Sequence, residues 1–146
     1  ENSWMTSFDG AALTGLEVLG LGIIPEEFSV PKGSLVTFEA RFQESYRAIP
    51  HLDFSDAAQL QSLVIGRRGG NVTDLGPLTS QGIDLAGCTS LRKIALPFQH
   101  ITTFDVSGFP YLETLILTND PLTDATVFAL EQWAADTGGS LTLKLP

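Results

Sequence analysis

Residues 91–111 read Leu91-Arg-Lys-Ile-Ala-Leu-Pro-Phe-Gln-His-Ile-Thr-Thr-Phe-Asp-Val-Ser-Gly-Phe-Pro-Tyr111, and this stretch contains the apolar spacing that decides the fold. Leu91, Ile94 and Leu96 stand at offsets 0, 3 and 5. Two further apolar residues, Phe104 and Val106, stand two apart, shortly before the next segment of this kind. Residues two apart share one face of an extended strand, so each segment predicts a short strand with one buried face.

The same spacing recurs along the chain at intervals of about twenty residues or more. The template has two core positions at offsets 0 and 2 and three more at offsets 8, 11 and 13. It fits four segments directly and a fifth after one residue is deleted. The five segments begin at Phe8, Phe28, Leu52, Ile83 and Phe104. Such self-similarity is typical of solenoids, in which each unit buries its apolar side chains against its neighbours. With a degenerate sixth copy at residues 141–145, the pattern predicts a single domain over residues 1–146 with a parallel sheet of about six short strands.

The other half of each unit contains only a two-residue alternation, so the opposite side of most units is predicted to be extended or turn-like. Antiparallel hairpins are disfavoured because tight two-residue turn signals are missing between the segments. The last unit differs, since residues 123–136 predict one amphipathic helix with Thr123 as the N-cap and Gly138-Gly139 as the stop. We expect this helix to cover the C-terminal end of the core.

An aspartate follows the first core residue of four units. Stacked at the strand spacing, Asp9, Asp53, Asp84 and Asp105 would form an acidic ladder. A linear ladder does not converge oxygen ligands on one point, as a hard cation requires. We therefore expect each carboxylate to accept backbone N–H groups of its own turn.

The N-terminal end of the predicted sheet has little sequence available to cover it, because only residues 1–7 precede the first unit. An open solenoid exposes unpaired backbone and apolar side chains at its ends. The chain also begins at Glu1 rather than at a methionine. We expect an upstream segment or a partner at this N-terminal edge.

Composition excludes several classes of function. The formal net charge is −9, whereas nucleic-acid recognition depends on clustered Lys and Arg. No apolar run approaches the roughly 18 residues of a membrane span. The charge is uneven, since residues 41–93 contain six basic and five acidic residues. The middle of the chain is therefore the least repulsive region for an anionic partner, although a solvated surface without a role is the simpler interpretation.

Catalysis and cofactors find no support in the sequence. Cys88 is the single cysteine, and one predicted strand separates it from His100, too far for a Cys–His pair. Neither His51 nor His100 has a metal-ligand spacing, and there is no phosphate-binding glycine motif. We predict that the chain is not an enzyme and binds neither a metal nor a cofactor.

With these segments in view, the chain resembles the leucine-rich repeat family. Residues 91–111 are similar to the 21-residue repeat of bacterial surface proteins of the internalin type, L-x-x-L-x-L-x-x-N-x-L-x-x-L-D-V-S-x-x-x-x, and residues 112–140 resemble the helix-bearing repeat of the ribonuclease-inhibitor type. The family's asparagine at offset 8 is replaced in the five units by Ile24, Gln43, Arg68, Gln99 and Asp120. The resemblance implies an α/β leucine-rich repeat solenoid with a concave sheet, which binds a protein or glycan ligand on the surface of a bacterium or after secretion.

Two long inserts are the candidate ligand sites. Residues 41–51 and 66–82 follow adjacent predicted strands, so we expect them side by side on one rim. The predicted concave face lacks the exposed aromatic residues that anchor many interfaces, whereas the inserts contain Arg and Tyr. With Lys93 from the concave face, the candidate ligand-binding residues are Arg41, Tyr46, Arg47, Arg67, Arg68 and Lys93. The alternative is that the chain is a structural spacer, or part of a longer repeat array, without a ligand site.

Overall fold

The computed structural model describes residues 5–22, 24–25, 27–42, 52–67, 82–97, 99 and 101–144. These residues form an α/β structure with ten short strands and one helix. In chain order the elements are β1 (Ser7–Asp9), β2 (Val18–Leu21), β3 (Glu27–Ser29), β4 (Thr37–Phe42), β5 (Leu52–Asp53), β6 (Ser62–Arg67), β7 (Ile83–Asp84), β8 (Lys93–Ala95), β9 (Thr114–Ile116), α1 (Asp124–Thr137) and β10 (Ser140–Thr142).

Six of the strands form one parallel sheet in the order β2-β4-β6-β8-β9-β10. One residue from each strand falls in the same register, which gives a row of Val18, Thr37, Ser62, Lys93, Thr114 and Ser140 across the whole sheet. Each of these strands overlaps one of the segments with the recurring apolar spacing. The prediction of a six-stranded parallel sheet is therefore confirmed.

Alternation along the strands separates a buried face from an accessible one. Phe38, Ala40, Leu63 and Ile65 have no accessible surface and belong to one apolar core with their counterparts in the neighbouring strands. The residues between them point to the opposite side, which we call the open face. It is formed by Val18, Gly20, Thr37, Glu39, Ser62, Val64, Lys93, Ala95, Thr114, Ile116, Ser140 and Thr142, most of which are half-buried or exposed.

The shorter strands confirm, for four of the five units, the prediction that the side opposite the large sheet is extended or turn-like. β1 pairs in parallel with β3, and β5 with β7, at the two-residue alternations of the first four units. Phe104 and Val106 of the fifth unit form no strand, although both pack against the core. Phenylalanine rings connect these strands to the large sheet, because Phe38 lies 5.8 Å from Phe28 and 5.0 Å from Phe54 between ring centroids.

The helix begins and ends close to where the sequence predicts. Thr123 is extended and its hydroxyl accepts a hydrogen bond from the N–H of Thr126, which caps the first turn. Gly138 adopts a left-handed conformation with φ of 71° and donates to the carbonyl of Ala134. Leu130 is fully buried against the core. Among the described residues, no helix has the length and apolarity that crossing a membrane requires.

Aspartate side chains organise the turns that follow the short extended segments. Asp9, Asp53, Asp84 and Asp105 each accept a hydrogen bond through Oδ1 from the backbone N–H two residues later, at 2.9–3.0 Å. This local bond is the Asx turn that the sequence predicts. The four carboxylates are therefore structural, and their recurrence reflects the recurrence of the turn.

Candidate functional site

The open face presents two rows of different character. The first row carries hydroxyl side chains at Thr37, Ser62 and Thr114 around the exposed ammonium of Lys93. The second row is apolar in its centre, where Val64 and Ile116 flank Ala95 in register. Because neighbouring strands lie about 4.8 Å apart, the six strands span about 24 Å, long enough for an extended ligand.

Two strand positions on the side of the open face, Gly66 and Gly20, carry no side chain. Gly66 is buried in β6, and a Cβ atom built there would lie 2.9 Å from the Cγ atom of Pro97. A larger residue at position 66 would therefore displace Pro97, the second residue after β8. Gly20, near the other edge of the sheet, has open space where its Cβ would stand.

The structure describes only part of the candidate site predicted from sequence. Lys93 is exposed and lies on the open face. The backbones of β4 and β6 run side by side to their ends, where Arg41 pairs with Gly66 and Phe42 with Arg67, so the two inserts do start from neighbouring strands. Tyr46, Arg47 and Arg68 lie outside the described residues, as do residues 43–51 and 68–81.

The strand register separates Lys93 from the insert ends. Lys93 pairs with Ser62, the first residue of β6, whereas Arg67 is the last residue of that strand. Five residues of extended chain correspond to about 16 Å between the two backbone positions. Lys93 and the strand ends that lead into the inserts are thus at opposite ends of the sheet strands.

A polar cluster that the sequence did not indicate links two units on the side of the short strands. The Lys32 ammonium donates to Asp53 Oδ2 at 2.7 Å and to Ser55 Oγ at 3.0 Å. Hydrogen bonds from Lys32 and Ser55 hold the pKa of Asp53 well below its usual range. The Lys32 side chain thus joins Asp53 and Ser55 of the following unit. The cluster is a clasp between units.

Cys88 is buried, and its thiol is hydrogen-bonded to the backbone. Its side chain has no accessible surface, and Sγ donates a hydrogen bond to the carbonyl of Phe54 at 3.0 Å. Burial is the main cause that raises its pKa to about 11, so the thiol stays protonated at neutral pH. His100 lies outside the described residues. Within the described ranges, no group of three His, Cys, Asp or Glu side chains comes together as a metal site.

Asp120 binds backbone groups of the preceding unit. The residue is fully buried, and its Oδ1 accepts hydrogen bonds from the N–H groups of Gln99 and Ile101 at 2.8 and 3.1 Å. Gln99, at the same offset one unit earlier, donates from Nε2 to the carbonyls of Ile65 and Pro97. These polar side chains therefore satisfy backbone groups of neighbouring turns.

Comparison of the chain with protein-family models, with curated proteins and with solved structures found no match. The function is therefore inferred from the geometry and chemistry of the chain itself.

Proposed function

We propose that this chain is a leucine-rich repeat domain that binds a protein or glycan ligand on the open face of its six-stranded sheet and catalyses no reaction. The observation that carries the proposal is the accessibility of that face. Parallel sheets are normally covered on both faces. Here one face packs into the core, while side chains from all six strands of the other face remain accessible.

The chemistry of the open face suits recognition. Hydroxyl groups and one ammonium provide hydrogen-bond donors and acceptors, and the central Val64, Ala95 and Ile116 provide a small apolar strip. Such a mixture of an apolar centre and a polar surround is common in binding surfaces. Catalysis would require a nucleophile or a base with a perturbed pKa in a cleft. Within the described residues, the thiol of Cys88 is buried and protonated, and the Lys32 ammonium is paired with a carboxylate.

The family resemblance extends the proposal to location. Repeats similar to residues 91–111 occur in secreted and surface-displayed bacterial proteins, so we propose the same location for this chain. The rim predicted from residues 41–51 and 66–82 remains a second part of the proposed ligand site on the grounds of its Arg and Tyr content.

A binding array of glycans and surface proteins tests this function. The open-face variant Thr37→Arg/Thr114→Arg places two long cations on the row around Lys93. The control Thr89→Arg/Thr103→Arg makes the same chemical changes at two exposed positions outside the sheet. We expect wild type and control to bind the same ligand and the open-face variant to bind at least about tenfold more weakly, a difference of about 1.4 kcal/mol.

Equal binding by the open-face variant and the control would contradict the assignment of the open face. An Arg47→Ala/Arg67→Ala/Arg68→Ala variant would then show whether binding depends on the rim instead. If wild type binds nothing on the arrays, the spacer function is favoured over ligand binding.

A further inference from the structure

The N-terminal edge of the molecule is apolar and open. Three of the five large hydrophobic side chains that are exposed among the described residues lie here, with accessible fractions of 49% for Met5, 41% for Leu13 and 64% for Val18. Both β2 and β1 are the last strands of their sheets on this side. An edge strand leaves a row of backbone groups without a partner strand, which favours pairing with another chain.

Among the described residues, the apolar core is less well covered at this edge than in the internal units. Leu16 and Leu21 of the first unit are half-buried. At the position that corresponds to Leu16, Leu35 and Leu60 of the next two units have no accessible surface. At the position that corresponds to Leu21, Ala40 of the second unit is also fully buried. Within the described residues, the first unit is therefore covered on one side only, whereas the internal units have a neighbour on both sides.

The hydrogen bonds between units indicate what such a neighbour would supply. In the second unit, the N–H groups of Val36 and Thr37 both donate to the carbonyl of Glu17, at 2.8 and 2.9 Å. The same paired bonds recur between the following units, with the carbonyls of Val36, Gln61 and Arg92 as acceptors. In the first unit the equivalent donors are Glu17 and Val18, and within the described residues no backbone carbonyl accepts from them. A strand added in parallel beside β2 would provide this carbonyl.

Charge indicates the chemistry of that strand. Arg92 and Glu113 occupy the same offset in neighbouring units and form an ion pair at 2.6 Å. Glu17 stands at this offset in the first unit and is exposed. No lysine or arginine precedes Lys32, whereas five acidic residues do. An added strand with a basic residue at this offset would meet Glu17 as Arg92 meets Glu113.

The same charges disfavour a second copy of this chain as the occupant. The other free edge of the sheet is β10, and a head-to-tail contact would place it beside β2. Residues 118–144, which contain β10, have four acidic residues and one basic residue. Two acidic ends repel each other, so the charges favour a basic segment over a second copy of this chain.

We propose that β2 binds an extended segment of a partner protein by parallel strand addition, the segment carrying apolar residues at offsets 0, 3 and 5 and Arg or Lys at offset 1. The apolar residues would cover Leu16, Leu19 and Leu21 in the way that each unit covers the next. This site is at the edge of the sheet and is separate from the ligand site proposed on the open face.

The probe is a capped, fluorescently labelled peptide with the sequence of residues 91–96, which has the required spacing and two basic residues and pairs in parallel with β6 in the protein. Fluorescence anisotropy measures its binding to the full chain at protein concentrations up to about 1 mM. The control peptide carries Leu91→Ser, Ile94→Ser and Leu96→Ser, which keep its charge and remove its apolar residues. We expect saturable binding of the first peptide and none of the second.

Two protein variants locate the site. Val18→Pro removes an edge N–H, which edge strands tolerate, and Glu17→Arg reverses the charge at offset 1. Each is expected to weaken binding about fivefold, as loss of one hydrogen bond or one exposed ion pair predicts. Glu131→Arg makes the same charge change at an exposed position of α1 and should leave binding within about twofold. Circular dichroism checks that Val18→Pro is folded, and Glu17→Arg tests the site independently if it is not.

Four results would overturn the proposal: no binding of the apolar peptide, equal binding of both peptides, binding unchanged by both edge variants, or an equal loss in the Thr37→Arg/Thr114→Arg variant. Concentration-dependent self-association that Glu17→Arg alters would also overturn it, because a second copy would then occupy the edge. Loss of array binding with intact peptide binding would contradict only the open-face function.

Discussion

Replacement of Asp120 by alanine tests how the turns of neighbouring units are held together. Asp120 is fully buried and its Oδ1 accepts hydrogen bonds from the N–H groups of Gln99 and Ile101. Loss of a hydrogen bond that leaves a buried donor unsatisfied costs about 1–3 kcal/mol for each bond. Asp120→Ala removes both and leaves a buried N–H without this acceptor, so the free energy of unfolding should fall by about 3 kcal/mol or more.

Asparagine at position 120 keeps the acceptor. Asp120→Asn has the same shape, and its amide oxygen can still accept both hydrogen bonds. Because both bonds are kept, we expect Asp120→Asn to lower the free energy of unfolding by no more than about 1 kcal/mol. Asp84→Ala, which removes one exposed Asx-turn bond, is the control and should cost less than about 1 kcal/mol.

Urea denaturation followed by circular dichroism measures these differences. With a slope of about 2 kcal/mol per molar urea, Asp120→Ala should lower the midpoint by about 1.5 M. The slope itself should not change, because the same surface is exposed on unfolding. If Asp120→Ala shifts the midpoint no more than Asp84→Ala does, the buried carboxylate does not organise the turn and our interpretation is wrong.

Three further predictions concern the clasp, the thiol and a turn. Because Lys32 holds the pKa of Asp53 below its usual value near 4, ionised Asp53 stabilises the fold above about pH 4, and this stabilisation is lost as the pH falls toward the lowered pKa. Lys32→Met should therefore make the urea midpoint less sensitive to acid between about pH 5 and pH 2. Cys88, buried and with its pKa raised to about 11, should resist iodoacetamide at about pH 8 in the native protein and react after unfolding, as mass spectrometry would detect. Gly87 has φ of 78° and its Cβ would clash with a neighbouring turn, so Gly87→Ala should cost about 1–3 kcal/mol in urea denaturation. Gly108→Ala, which meets no atom within 4 Å, should cost much less.

Each of these predictions has a result that contradicts it. An acid dependence that Lys32→Met leaves unchanged would mean that the clasp does not shift the titration of Asp53. Rapid alkylation of Cys88 in native buffer would show that the thiol is accessible. Equal midpoints for Gly87→Ala and Gly108→Ala would show that the left-handed turn is not constrained.

Local patterns in the sequence were sufficient for the elements. The two-residue alternation of Leu63 and Ile65 predicts which face of β6 is buried, because a strand repeats every two residues whatever packs against it. Thr123 and Gly138 predict the ends of α1, since capping depends on backbone groups within one turn. The Asx turn of Asp84 follows from the same locality.

The candidate site was only partly predictable. The sequence places Lys93 on the accessible face of its strand, but it does not reveal the clasp between Lys32 and Asp53, whose partners are 21 residues apart. Nor does it indicate that β2 lies at the edge of the sheet, because that depends on the order of the strands.

By itself, the recurring spacing that includes Leu91, Ile94 and Leu96 determined the strands and their buried face, because these depend on periodicity. The capping residues Thr123 and Gly138 determined the ends of the terminal helix, because capping depends on contacts within a few residues. Only the tertiary structure decided that Ala95 is almost fully buried on the open face, that Cys88 bonds to a carbonyl 34 residues away, and that Asp120 supports the turn of the preceding unit. These outcomes depend on which residues of neighbouring units come into register. A repeat pattern gives the spacing of residues within each unit, but it does not give the residues that they contact in the next unit.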